Sequence, residues 1–486
     1  MTGSGILSTY GIIFMGVYLL LLVAIGFWGK MAMKEGSMAD YYLAGRNMGL
    51  VVLLLTLYAT QYSGNTLIGF AGNSYREGYR FLVSVVAMMS VIGGFFIFAP
   101  KLFRLSREKE YITPGDYFQD RFNSRTLTII VSIIFIIALG NYILSNLKAI
   151  GYIVEGATGG KIPFTYGVVG LTFIMVLYET LGGMRSVAWT DAIQGVLLLI
   201  GCIGIFFAIE SEYGGLSHAA NVIRETRPDL WSSPTENQMF KWGSTILLFF
   251  FGVSIYPHAI QRIYAAKNEK VLKTSLQIML FMPLFTTFFM FTVGIVGISR
   301  FPGLDRAGSE EISLLLLNDL MVKVPGMELL LVLFITAAVA AIMSTADSAL
   351  LSLSSIFTED LYRPFKPNMT QKEMVWVGKL FSWGLMIVLT ILAITLPQTI
   401  WKLIIIKLEI LIQVAPAIFL GVHCKNLTTR AIMSGLIAGL GVAILLWATG
   451  TKFMGVHAGV WGLLLNLIVI WVVQISGKKS KTLPSS

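Results

Sequence analysis

The fold turns on Gln61-Tyr62-Ser63-Gly64-Asn65, five residues set inside the otherwise apolar run from Leu50 to Gly72. A run of that length crosses ~30 Å of hydrocarbon as a helix rising 1.5 Å per residue. Polar residues around a glycine at its middle predict an interruption. Within lipid an interruption is costly, because the freed N–H and C=O groups need partners, and it persists only where it lines a cavity or binds something. The same signature returns in Phe251-Gly252-Val253-Ser254-Ile255-Tyr256-Pro257-His258, inside the run Thr245–Gln261. The two runs are the second and the seventh of the chain and, on the reading below, opposite in direction. That is the pattern of two inverted five-helix repeats, each opening on a discontinuous helix.

Composition agrees. Of 486 residues, 56% are hydrophobic and 13% charged, whereas a soluble domain carries about 25% charged residues. About thirteen runs are long and apolar enough to span a bilayer, so the fold class expected is an all-α integral membrane protein. The first, Tyr10–Trp28, has neither a basic start nor a small-residue cleavage site after it, and reads as a retained helix. With the N-terminus outside and the C-terminus inside, most of the 36 basic residues fall on the cytoplasmic side, as the positive-inside rule requires. The net charge of +10 is then a property of cytoplasmic loops, and nucleic acid is not an expected partner. The partners expected are the lipid bilayer and a small-molecule solute, and no obligate protein partner is evident. A bacterial inner membrane is the expected location. Cys202 and Cys424 are the only cysteines, too few for a disulfide framework or a metal-thiolate site. The chain divides into a first helix and loop (1–49), repeat one (50–208), repeat two (241–422), and two last helices with a basic tail (423–486).

The ninth run contains Ser344-Thr345-Ala346-Asp347-Ser348. Ser344 and Ser348 stand one turn apart on a shared face, with Thr345 and Asp347 beside them. Hydroxyl and carboxylate oxygens therefore gather on one stripe, ~25 Å down a helix running inward. Such a stripe suits a hard cation, although Ser and Thr in membrane helices often bond only to the carbonyl four residues back. Asp347 is more telling, since a carboxylate among apolar residues marks an ion or proton path. Asp191, in Trp189-Thr190-Asp191, either joins that path or caps the sixth run. Lys407 and Glu409 interrupt the eleventh run. Two residues apart, they do not face each other on a helix, so Lys407 needs either a neighbouring acid or a solute carboxylate.

Four segments resemble the solute:sodium symporter family: Gly69-Phe70-Ala71-Gly72; Tyr178 to Gln194 with its Leu181-Gly182-Gly183-Met184-Arg185; Gln261 to Asn268; and Ala340 to Leu361. They occur in the family's order along most of the chain. The resemblance implies a LeuT-like inverted repeat in helices two to eleven and Na⁺ as coupling ion. It implies a main Na⁺ site at the carbonyls of Ala59, Tyr62 and Ala341 with the hydroxyls of Ser344 and Thr345. A second cation site would use Asp191, Asp347 and Ser348. Asp347 departs from relatives that carry a hydroxyl there, and either strengthens that site or links it to protons. Solute contacts would be Gln61, Ser63, Asn65, Thr66, Tyr256 and His258. The Pro257-His258 pair is similar to members that carry carboxylates. The expected function is Na⁺-coupled import of a small organic solute, leaning to a monocarboxylate, amino acid or pantothenate-like acid. An H⁺-coupled symporter and a transporter-like sensor are the alternatives. The sensor would need an output domain, for which the tail after Gly477 is short, and no catalytic constellation speaks for an enzyme.

Overall fold

The computed structural model describes residues 7–324, 326–396, 400–451 and 453–479. Among them no β-strand occurs, and one isolated bridge joins Met48 to Ala266. The helices that position the site are α1 (Thr9–Met31), α2 (Leu50–Gln61), α3 (Gly69–Glu77), α4 (Val83–Glu108), α5 (Arg125–Ala157), α6 (Phe164–Tyr213), α7 (Glu236–Leu248), α8 (Pro257–Ala265), α9 (Thr287–Arg300), α10 (Glu328–Ile356), α11 (Gln371–Thr395), α12 (Ile400–Leu411), α13 (Thr429–Ala448) and α14 (Ala458–Lys479).

Both expected interruptions are present. Helix α2 stops at Gln61, Tyr62 is extended (φ −107°, ψ 95°), and the chain resumes through the short turn Gly64–Leu67 into α3. In the second repeat a π turn, Phe249–Val253, ends α7, and Pro257 opens α8 at an angle of 51°. Proline suits that first position because its fixed φ is helical and its missing N–H needs no partner there. The Asn65 side chain and the tail beyond residue 479 lie outside the described residues.

Nine helices among the described residues are long and apolar enough to cross a membrane, or ten if the bent pair counts as one. Fewer continuous helices than expected runs has two causes: the second and eleventh runs give helices of only 12 residues, Leu50–Gln61 and Ile400–Leu411, and two runs fuse. The fifth and sixth runs form the single 50-residue α6, kinked at Gly183 (φ 54°, ψ −141°). Asp191 consequently sits well inside a helix that is already under way, so it caps nothing.

Helix α10 forms the centre. Every residue from Phe334 to Ile356 is buried, as expected of a helix apolar nearly all round, and it packs on α6, α5 and α2. Helices α1, α11, α13 and α14 bury only 28–33% of their apolar windows and form the lipid-facing periphery, with Leu20, Ile387 and Trp471 exposed.

Gly183 holds the kink in a conformation that side chains resist. A Cβ there would meet the Tyr41 carbonyl oxygen at 2.5 Å. Gly183→Ala is expected to lower stability by about 1–3 kcal/mol, the usual cost of a strained backbone position. Thermal unfolding in detergent measures it, and an unchanged midpoint would show that the kink tolerates a side chain.

Candidate functional site

At the end of a helix the last carbonyls lose their intrahelical partners. Ala59, in the last turn of α2, offers its carbonyl to the Ser344 hydroxyl of α10 at 2.9 Å. Ser344 also reaches the Ala341 carbonyl at 3.1 Å. Thr345 donates to Ala341 and Ile342 carbonyls, each at 3.0 Å, and lies 3.3 Å from Asn146 Oδ1 of α5. All of these groups are buried. Ala59, Ala341, Ser344 and Thr345 thus come together, and Tyr62 stands at the break three residues beyond Ala59. Asn146 was not anticipated. Its sequence signal is the set of polar residues Asn141, Ser145 and Asn146 within the apolar α5.

One turn along α10, Arg262 of α8 is fully enclosed. Its guanidinium pairs with Asp191 Oδ2 at 2.8 Å, and donates to Thr56 at 2.8 Å, to the His258 carbonyl at 2.9 Å and to Ser348. Thr56 also donates to Asp191. Asp347 accepts from the Tyr178 hydroxyl and lies 3.3 Å from the Ser348 hydroxyl. Asp191 Oδ1 has no partner among the described residues. One guanidinium therefore stands near two buried carboxylates: it pairs with Asp191, while Asp347 has hydroxyl partners. Arg262, Thr56 and Tyr178 were not anticipated as site residues, although two of them lie in segments that carried the family resemblance.

The residues expected to contact solute lie at the two breaks. His258 stacks with Tyr142 of α5 and Tyr256 is tilted against both, at ring-centroid distances of 5.8 Å for Tyr142–Tyr256, 6.1 Å for Tyr142–His258 and 5.1 Å for Tyr256–His258. The Tyr142 hydroxyl faces Ser63 and Thr345. Gln61 ends α2 with both amide atoms buried and unpartnered, and His258 Nδ1 is likewise unpartnered, among the described residues. Thr66 follows in the turn, its N–H on the Ser63 carbonyl at 2.8 Å. Buried polar groups normally find partners, and these atoms at the two breaks have none among the described residues.

Sequence comparison carries this geometry to a family, because a profile of the sodium:solute symporter family matches residues 41–439. The chain belongs to that family. Two relatives cover nearly the whole symporter. An uncharacterized symporter, YhjB, of Bacillus subtilis is 25% identical over 97% of this chain and 98% of its own. A sodium/proline symporter of Staphylococcus aureus is 27% identical over 96% and 93%. In three dimensions the symporter is similar to a Na⁺-coupled sialic acid symporter in a substrate-bound outward-open state, with a TM-score of 0.79 at 18% identity, covering 96% of this chain and 97% of the other. MhsT in complex with L-phenylalanine is a more distant match in fold, with a TM-score of 0.56 at 14% identity over 88% and 99%. The symporter is accordingly a multi-pass inner-membrane transporter with a LeuT-like fold, and Na⁺ is its coupling ion.

Proposed function

We propose that this symporter imports a small organic carboxylate by alternating access, with Na⁺ held by the carbonyls of Ala59, Tyr62 and Ala341 and the hydroxyls of Ser344 and Thr345. The observation that carries the reading is the Ser344–Ala59 contact at 2.9 Å, which joins the broken first helix of repeat one to α10. An ion placed there ties the two together and favours the state in which the solute groups on the break are assembled. Its loss to the cytoplasm releases α2, and repeats 50–208 and 241–422 rock against each other, within about thirteen spans and with the N-terminus outside. Coupling is reciprocal, so solute tightens Na⁺ by the factor by which Na⁺ tightens solute.

His258, with a free ring nitrogen beside Tyr256, and the unsatisfied Gln61 amide support a solute with several hydrogen-bonding oxygens, and Ser63, Asn65 and Thr66 belong to the same turn. The proline named for the Staphylococcus relative is itself a carboxylate.

Energetics bears on ion number. One Na⁺ entering down ~100 mV gains ~2.3 kcal/mol, and a tenfold concentration ratio adds ~1.4 kcal/mol. For a net-neutral solute that sustains a gradient of roughly several hundredfold. For a monoanion the voltage contributions cancel and only the Na⁺ ratio remains. A second cation or a proton at Asp347, near Asp191 and Ser348, would restore the voltage contribution, and Asp347, with hydroxyl partners and no ion pair among the described residues, favours this second reading.

Proteoliposomes with an inward Na⁺ gradient test both. Uptake is expected for carboxylates and not for hexoses, and is expected to vanish when K⁺ replaces Na⁺. Uptake of uncharged sugars alone would reject the solute class. Uptake driven by a pH gradient without Na⁺ would give the main site to protons.

A further inference from the structure

Lys407 lies on α12, the helix that packs on α5 and on the π turn before α8. Its side chain is 3% exposed. The ammonium sits 3.1 Å from the Tyr142 ring centroid and 4.9 Å from that of Tyr256. No carboxylate of the described residues stands within 4.0 Å of it. Glu409, the acid nearest in sequence, turns elsewhere: it accepts from the Gly459 N–H and lies 3.4 Å from His457. Asp191 is taken by Arg262, and Asp347 by Tyr178.

A buried ammonium gives up much of its hydration energy. Two aromatic faces return only part of that. The difference is left for an anion. Beside the ammonium are two further groups suited to one: His258 with its unpartnered Nδ1, and the Tyr142 hydroxyl facing Ser63.

We infer that Lys407 is the counter-charge for the transported solute, and that the solute is a small monocarboxylate carrying net negative charge, without an α-ammonium. The inference rests on the carboxylate reading above and narrows it. A carboxylate on Lys407 brings the site to neutrality over its aromatic floor. An amino acid would add its ammonium beside Lys407, where no acid of the described residues stands to receive it.

The arrangement also separates a ligand-seeking lysine from a structural one. Replacing a lysine that holds the fold through an ion pair destabilises the protein. Replacing one whose charge is uncompensated leaves the solute-free protein at least as stable. Lys407→Gln is therefore expected to keep or raise the unfolding temperature in Na⁺ alone, and to keep the Na⁺-induced shift. It is expected to lose the further shift produced by lactate, pyruvate or propionate. In proteoliposomes the KM for those acids should rise tenfold or more, while wild-type protein takes them up and excludes L-alanine and L-proline.

Lys407→Met serves as a second variant, matched in length and free of charge. Carboxylate uptake with an unaltered KM in both variants, or a lowered unfolding temperature in both, would overturn the role of Lys407 and leave the carboxylate reading standing. Wild-type uptake of amino acids in preference to the simple acids would overturn the narrowing. Wild-type uptake of uncharged solutes alone would overturn the carboxylate reading itself.

Discussion

Arg262→Met is expected to destabilise the protein by about 3–5 kcal/mol, the cost of leaving one member of a buried ion pair without the other. Arg262 is fully buried and ties four segments together: Asp191 on α6, Thr56 on α2, Ser348 on α10 and the backbone of its own helix at His258. Removing it leaves Asp191 and Asp347 as two buried carboxylates with no buried cation beside them. Adding Asp191→Asn to Arg262→Met should recover part of the loss, since it removes one of the stranded charges. Thermal unfolding of the single and double variants in detergent measures both effects. If the single variant melts with wild type, the guanidinium is not what compensates Asp191.

Ser344→Ala and Thr345→Ala are each expected to lower Na⁺ affinity roughly tenfold or more, the loss of a ligand contributing about 1.4 kcal/mol. The Na⁺ activation curve of uptake should move to higher concentration with little change in maximal rate at saturating Na⁺. Ser344 reports on the junction itself, because its hydroxyl touches the Ala59 carbonyl. Thr345 reports on the α5 side through Asn146. Overlapping activation curves for wild type and both variants would refute the Na⁺ assignment and with it the proposed coupling of α2 to α10.

What could be read in the chain depended on range. The break at Tyr62 was legible because polar residues around Gly64 have no local reason to lie mid-run in lipid, and Pro257 announced the second break in the same way. The hydroxyl stripe Ser344 to Ser348 was legible because helical spacing fixes a shared face. Asp191 was read as either an ion ligand or a cap, and only the continuation of α6 through the Gly183 kink removes the second option. Its partner, Arg262, lies 71 residues away, and nothing in local spacing joins them. Asn146 went unnoticed for the same reason. Its side chain gains meaning only when α5 is laid against α10.

By itself, then, the sequence determined that this is a helical membrane protein with two interrupted helices and an oxygen-rich stripe. Those properties follow from costs incurred within a single segment: unsatisfied backbone in hydrocarbon, charge in lipid, and the 3.6-residue period. The tertiary structure alone decided which charges meet. It placed Arg262 against Asp191, turned Glu409 toward Gly459 and His457, and left Lys407 over Tyr142. Pairing energy falls steeply with distance in a low-dielectric interior, so a difference of a few ångströms between packed helices separates a neutralised charge from one that awaits a solute, and no spacing along one helix encodes that distance.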